Sequence, residues 1–367
     1  MIEFRSFIFS DLLTHAVPIK ILCIAFFKRI TIMKSNRFCA LFFALACALP
    51  ALAEEVVVYS ARNEQLIKPL FDAYTKETGV QVKFITGGEG PLVERLKAEG
   101  QNTPADVLLT VDAGNLWQAA QQELLRPISS KVLQDNVPAH LRDPASAWFG
   151  LSVRARTLVY NTSKLKPADL ASYEDLADPK WRGRLCLRTS KKVYNQSLVA
   201  MMITEHGEPK AEAIVKGWVS NLATSPFPDD TKALEAVANR QCDVTVVNTY
   251  YFGRLMEKSP KLPLAIFWPN QNLSGKDAGV HVNVSGAGVT RHAKNAAGAQ
   301  KLIEWLSSER AQNLYADSNL EYPVNPRVKP DAQVAAWGSF KPNLINVKDA
   351  GSLQVQAVKL MDRAGYK

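Results

Sequence analysis

The chain has 367 residues, 44 Lys and Arg against 35 Asp and Glu, and a net charge of +9, long enough for two sizeable cores. The basic excess is mild, and no Lys/Arg-rich tract with interleaved aromatics appears, which argues against a nucleic-acid partner. It fits better with a soluble protein whose cleft favours an anion.

The first segment is a targeting signal rather than structure. Met33-Lys34-Ser35-Asn36-Arg37 is a basic n-region, Phe38 to Leu49 is apolar, and Ala51-Leu52-Ala53 fits the small-x-small cleavage rule. Residues 33–53 read as a secretory signal peptide cut before Glu54, which implies export to the periplasm. The apolar run is too short for a membrane anchor. Lipidation at Cys47 is the alternative, but Ala44-Leu45-Ala46 fits a lipidation box poorly. Residues 1–32 read as a gene-start extension ahead of a true start at Met33, with a longer leader as the alternative. Losing the leader removes six basic and two acidic residues and leaves a net charge of +5. It also removes Cys23, Cys39 and Cys47. Cys186 and Cys242 remain, and two cysteines in an exported chain suggest one disulfide rather than two buried thiols.

Beyond the leader, Glu54–Ser60 reads as a strand and Gln65–Glu77 as a helix with Leu66, Ile67, Leu70, Phe71 and Tyr74 at helical spacing. Val80–Ile85 reads as a strand, Thr86–Gly90 as a tight Gly-rich turn without the Lys-Ser/Thr of a phosphate loop, and Leu92–Ala98 as a helix. Ala105–Thr110 and Asn115–Glu123 continue the alternation as strand and helix. This βαβαβα order predicts a parallel sheet covered by helices. A second α/β block starts near Gly150. Its predicted strands are Leu151–Asn161, Arg184–Arg188, Asp243–Val247 and Val282–Val289. Its predicted helices are Gln196–Thr204, Lys210–Asn221, Thr231–Arg240, Ala296–Leu306 and Leu353–Arg363. No Ser/Gly/Pro-rich linker separates the blocks, which suggests strands crossing between two lobes, as in a hinged clamshell.

No GxSxG, HExxH or CxxC occurs, and none of the five histidines pairs with another at metal-ligand spacing. No nucleophile–base pair supports an enzyme. Tyrosines, however, gather at strand ends. Tyr59 ends the first strand and reads as a core or cleft residue. Tyr250 and Tyr251 follow the buried run Val244–Val247, where ligand crevices of open α/β sheets lie; the flanking Asn248-Thr249 and Gly253 suggest a loop. Tyr194 follows another strand and a polar loop. Cys186 lies eight positions before Tyr194, and Cys242 eight before Tyr250. A bridge between them would tie together the bases of the two tyrosine loops. Three phenol oxygens form a hard donor set. Free phenol titrates near 10, so a weak divalent ion would not displace its proton, whereas Fe³⁺ would. A small anion held by Arg154, Arg156, Thr189 or Ser190 could fill the remaining positions.

With these residues in view, the chain resembles the periplasmic ferric-ion-binding proteins, the solute receptors of iron(III) ABC transporters. The resemblance rests on Val58-Tyr59-Ser60-Ala61-Arg62, Thr103–Thr110, Trp148-Phe149-Gly150-Leu151 with Arg154-Ala155-Arg156, Pro179–Gly183, Asn248–Tyr251 and Glu321-Tyr322-Pro323-Val324. It implies an α/β, two-lobed type II periplasmic binding protein fold, hinged, with iron in the cleft between lobes. One lobe would comprise residues 54–153 and 280–329, the other 154–279 and 330–367. It implies Tyr194, Tyr250 and Tyr251 as ligands of Fe³⁺ and Arg154 as the grip on a synergistic carbonate or other small anion. It also implies a monomer that delivers its cargo to an ABC permease in the inner membrane. The chain departs from the family in the first lobe. A His or His-Tyr pair after the first strand is replaced by Asn63 and Glu64, and a glutamate after the third strand by Val111. That lobe either only closes over iron held by the second, or Glu64 acts as a weak ligand. The competing readings are a receptor for a small organic anion, phosphonate or polyamine, and an exported hydrolase or transferase.

Overall fold

The computed structural model describes residues 54–367; the leader readings for residues 1–53 lie outside the described residues. In chain order the principal elements are β1 (Glu55–Ser60), α1 (Glu64–Thr78), β2 (Gln81–Thr86), α2 (Glu89–Glu99), β3 (Val107–Thr110), α3 (Ala113–Gln121) and β4 (Phe149–Asn161). There follow β5 (Leu185–Cys186), α4 (Val193–His206), α5 (Glu208–Asn221), α6 (Asp230–Ala238), β6 (Val244–Asn248), α7 (Thr249–Lys258) and β7 (Leu264–Phe267). The chain ends with β8 (Val282–Val289), α8 (Ala296–Leu306), α9 (Glu309–Asn319), β9 (Tyr322–Pro323) and α10 (Gln354–Arg363). No helix among the described residues is long and apolar enough to cross a membrane.

The opening βαβαβα unit forms where the apolar spacing places it. Helix α1 buries Ile67, Leu70, Phe71 and Tyr74 on one face and stops at Gly79, whose φ of 76° is the left-handed conformation glycine adopts without a Cβ clash. Strand β1 pairs in parallel with both β2 and β3. The sheet as a whole is mixed rather than parallel. Its order is β2-β1-β3-β8-β4-β6-β5, with β7 and β9 also pairing with β4. The β3–β8, β8–β4 and β4–β6 pairings are antiparallel. The reason is that β4 leads out of the first core and β8 leads back into it, so the two run in opposite directions beside each other.

Strand β4 is 13 residues long and buried throughout. Its first half pairs with β8, and Phe149, Leu151, Val153 and Ala155 belong to a core containing Phe71, Leu108, Trp148, Leu302 and Tyr315. Its residues 156–160 pair with β6. There Leu158 joins a core with Trp181, Leu198, Trp218 and Leu360, while Val159 joins a cluster with Leu234, Val237 and Val247. Adjacent strand residues face opposite ways, so one strand feeds apolar groups to both faces of its sheet. Ala357, Leu360 and Met361 of α10 close the second core.

Cys186 and Cys242 are bridged, with Cα atoms 5.8 Å apart. Both are buried, and β5 and β6 lie side by side in parallel. The bridge spans a sequence separation of 56 residues; closing a loop of that size removes up to about 4 kcal/mol of unfolded-state entropy. The Cys186→Ala/Cys242→Ala variant is therefore expected to lose about 2–4 kcal/mol of stability in chemical denaturation. An unchanged transition would show that the bridge contributes nothing to stability.

Candidate functional site

A cavity of about 210 Å³ is lined by Tyr194, Tyr250, Tyr251, Arg154, Arg62, Glu321 and their neighbours. The three tyrosines singled out from the sequence therefore converge. Their local setting differs from the loops expected. Helix α7 begins directly after β6, with Asn248 as its N-cap, so Tyr250 and Tyr251 occupy its first turn. Gly253, which suggested a loop, sits inside that helix. A Cβ there would lie 2.7 Å from the Trp337 ring and 2.8 Å from Leu320, so glycine permits close packing rather than breaking the helix. Tyr194 is likewise the second residue of α4. The unpaired N–H groups of a first helical turn carry partial positive charge, which favours an anionic phenolate beside them.

The Tyr250 and Tyr251 rings lie 4.5 Å apart, and the Asn248 amide donates to the Tyr250 hydroxyl at 3.2 Å. Cations surround the rings. The Arg154, Arg188 and Lys192 charges lie 5.4, 5.5 and 5.0 Å from the Tyr194 centroid, and Arg254 lies 5.0 Å from that of Tyr250. Burial nevertheless pushes the Tyr194 pKa up to about 12, against the opposing pull of Arg154. Burial and the neighbouring phenols likewise raise Tyr250 well above the usual phenol value. Without a cation in the cavity these two groups are neutral phenols at neutral pH.

Arg154 and Arg156 were paired in expectation; both border a small second cavity with Asp112 and Tyr194, but their partners differ. Arg154 lines the tyrosine cavity, donating to Ser285 Oγ at 2.9 Å and to the Val284 carbonyl at 3.2 Å. Its nearest carboxylate, Asp112, is 3.8 Å away. Burial alone would lower its pKa, but the tyrosine oxygens and Asp112 outweigh that, and it stays charged. Asp112 is itself occupied by Gly114 N, Ser197 and Asn283. Arg156 does not line the tyrosine cavity. Its guanidinium is spent on Asp230 at 3.2 Å, Asn248 at 3.2 Å, Asn195 at 2.5 Å and the Val246 carbonyl at 3.1 Å. Arg188 donates to the other oxygen of Asp230 at 3.2 Å, and the backbone of Asn248 to Asp230 at 3.0 Å. Arg156 is thus held by these partners as a brace beneath the tyrosine helix.

The first core contributes Ala61, Arg62, Asn63, Leu66, Glu89 and Val111. Asn63 reaches the cavity wall, but Glu64 is an exposed residue at the start of α1 and does not line it. Tyr59 lies away from the wall: its hydroxyl donates to Glu99 at 2.8 Å and its ring lies 5.0 Å from Arg95. Glu321 lines the cavity but is held at 3.1 Å by both outer nitrogens of Arg62, and Ser152 donates to it at 2.5 Å. Burial would raise the Glu321 pKa, but Arg62 and Arg154 pull it below the usual carboxylate range. Sequence reasoning placed Arg62 and Glu321 only within motifs; 259 positions separate them, so no local spacing signals their pairing. Asp230 lies at the start of α6 beside Asp229, and its local sequence carries no sign of its buried role.

Residues 69–342 match the family described as bacterial extracellular solute-binding protein. The chain is 44% identical to iron uptake protein A1 of a Synechocystis species over 324 residues, covering 87% of this chain and 89% of that one. It is 27% identical over 340 residues to the major ferric iron-binding protein of Neisseria meningitidis, covering 91% and 99%. A Trichodesmium protein solved in complex with iron and citrate ligands superposes with a TM-score of 0.81 at 44% identity, over 85% of this chain and all of that one. The expected two-lobed type II binding-protein fold is the fold of these neighbours.

Asp230 is fully buried and pairs with two buried guanidiniums at once, one through each carboxylate oxygen. Removing one partner of such a group strands the remaining charge, at a cost of about 3–5 kcal/mol. Asp230→Ala is expected to lose that much in chemical denaturation; a loss under about 1 kcal/mol, typical of a surface pair, would contradict the brace.

Proposed function

The chain belongs to the family of bacterial extracellular solute-binding proteins, and from that premise we propose that it is a receptor for ferric iron rather than an enzyme. The observation that carries this reading is the convergence of Tyr194, Tyr250 and Tyr251 on one cavity beside Arg154. The names of its relatives, an iron uptake protein and ferric iron-binding proteins, point the same way.

The chemistry follows from the donors. A weakly polarising cation cannot compete with the proton of a buried phenol, but Fe³⁺ can, because its charge dominates the local pKa. Loading therefore releases phenol protons and leaves three phenolates, which match the charge of the cation. The helix first turns and the surrounding guanidiniums are already in place to stabilise them, so little reorganisation is needed. Arg154 supplies the grip for a small synergistic anion, carbonate among the candidates, on the remaining coordination positions. It is free for this because Arg62 is matched to Glu321, and Arg156 and Arg188 to Asp230. Asn63 and Val111, in place of charged first-lobe donors, close the cavity without adding a strong ligand. The loaded receptor, monomeric and periplasmic, would hand its cargo to an ABC permease in the inner membrane.

Ferric titration of the purified protein is expected to produce a visible tyrosinate-to-iron absorption band, absent from Tyr250→Phe/Tyr251→Phe. A double variant that kept the band and the affinity would overturn the reading. Arg154→Lys removes a planar, charge-assisted contact worth about 1.5–3 kcal/mol. It should weaken anion-dependent iron binding about ten- to hundredfold, whereas Arg156→Lys should lower stability first. Equal effects on affinity would refute the division of labour between the two arginines.

A further inference from the structure

Helix α4 carries Tyr194 at one end and Glu205 and His206 at the other, eleven residues on, roughly 16 Å along the axis. At that far end His206 Nε2 lies 2.8 Å from Glu174 Oε1 and 3.8 Å from Glu205 Oε2. On the opposite side of the ring, Nδ1 lies 3.6 Å from Asp277 Oδ2. The His206 and Glu205 side chains are only 3% and 7% exposed, and that of Glu174 19%. None of these residues lines the tyrosine cavity.

The cluster is poorly compensated. Three carboxylates face one imidazole, and no Lys or Arg among the described residues pairs with any of them. Asn343 donates to Glu205 Oε1 at 2.8 Å. Glu174 Oε2 is buried with no hydrogen-bond partner. Burying carboxylates with so few partners is costly, and a cation at their centre would remove the cost.

We propose that Glu174, Glu205 and His206 bind a divalent cation of borderline character, Zn²⁺ before all, at a site separate from the tyrosine cavity. One ligand atom from each lies within 4.8 Å of the others. Ligand distances of about 2.0–2.2 Å in a tetrahedral site place donor atoms roughly 3.4 Å apart, between the 2.8 and 3.8 Å found around Nε2. An imidazole with two carboxylates suits Zn²⁺ better than an oxygen-seeking Ca²⁺. Water would take the fourth position. Asp277 stands at the other ring nitrogen, the side from which a carboxylate orients a metal-bound histidine. The ion would tie the turn at Glu174, the end of α4 and the segment at Asn343 together.

The test is calorimetric and thermal titration of the metal-stripped protein with Zn²⁺ and, separately, Ca²⁺. One equivalent of Zn²⁺ should bind and raise the unfolding midpoint by several degrees, with no comparable effect of Ca²⁺. His206→Gln and Glu205→Gln, made separately in case one fails to fold, should each lose this response while keeping the ferric titration of the parent. Asp277→Asn should weaken Zn²⁺ about tenfold. The proposal falls if Zn²⁺ does not bind, if Ca²⁺ acts equally, or if either Gln variant responds as the parent does. It also falls if Tyr250→Phe abolishes the Zn²⁺ response.

Discussion

A single strand, Phe149–Asn161, has to serve two apolar cores, and the rest of the molecule is arranged around that demand. One half is zipped to β8 and the other to β6, so the chain passes between the cores through paired backbone rather than through a loose linker. Where the pairing changes partner, two arginines two residues apart meet different surroundings. Arg154 belongs to the half paired with β8 and opens onto the cavity. Arg156 belongs to the half paired with β6 and is locked beneath α7. Strand periodicity alone would give them the same role; the change of partner separates them.

The charge pattern follows from this. Buried guanidiniums are tolerable only when matched, and here each match is specific: Asp230 to Arg156 and Arg188, Glu321 to Arg62. The residual positive potential falls on the three phenols, which stand in the first turns of two helices beside Arg154, Arg254 and Lys192. A bridge from Cys186 in β5 to Cys242, two residues ahead of β6, fixes the platform from which those helices rise. The result is a set of phenols gathered where positive potential is concentrated.

Much of this was legible in the sequence, and the failures have physical causes. The opening βαβαβα unit shows clean periodicity, and Val282–Val289 and Ala296–Leu306 fall where apolar spacing places them. Helix α7 was obscured because Thr-Tyr-Tyr-Phe-Gly carries β-branched and aromatic residues and a glycine, and its helicity comes from packing against Trp337 and Leu320. The polar helix α9 offers little apolar contrast for a period to show. The tyrosines and cysteines could be found because residue type and the shared spacing of eight marked them. Arg62, Glu321 and Asp230 could not be assigned, because their partners are set by tertiary contact alone.

The central claim is that a ferric ion in this cavity is held by deprotonated tyrosines. It is tested most directly by the resonance Raman spectrum of the iron-loaded protein, excited within its visible absorption band. The account predicts enhanced tyrosinate ring modes that shift when the protein is grown with ring-deuterated tyrosine. An iron-loaded protein whose spectrum lacks those modes would contradict it.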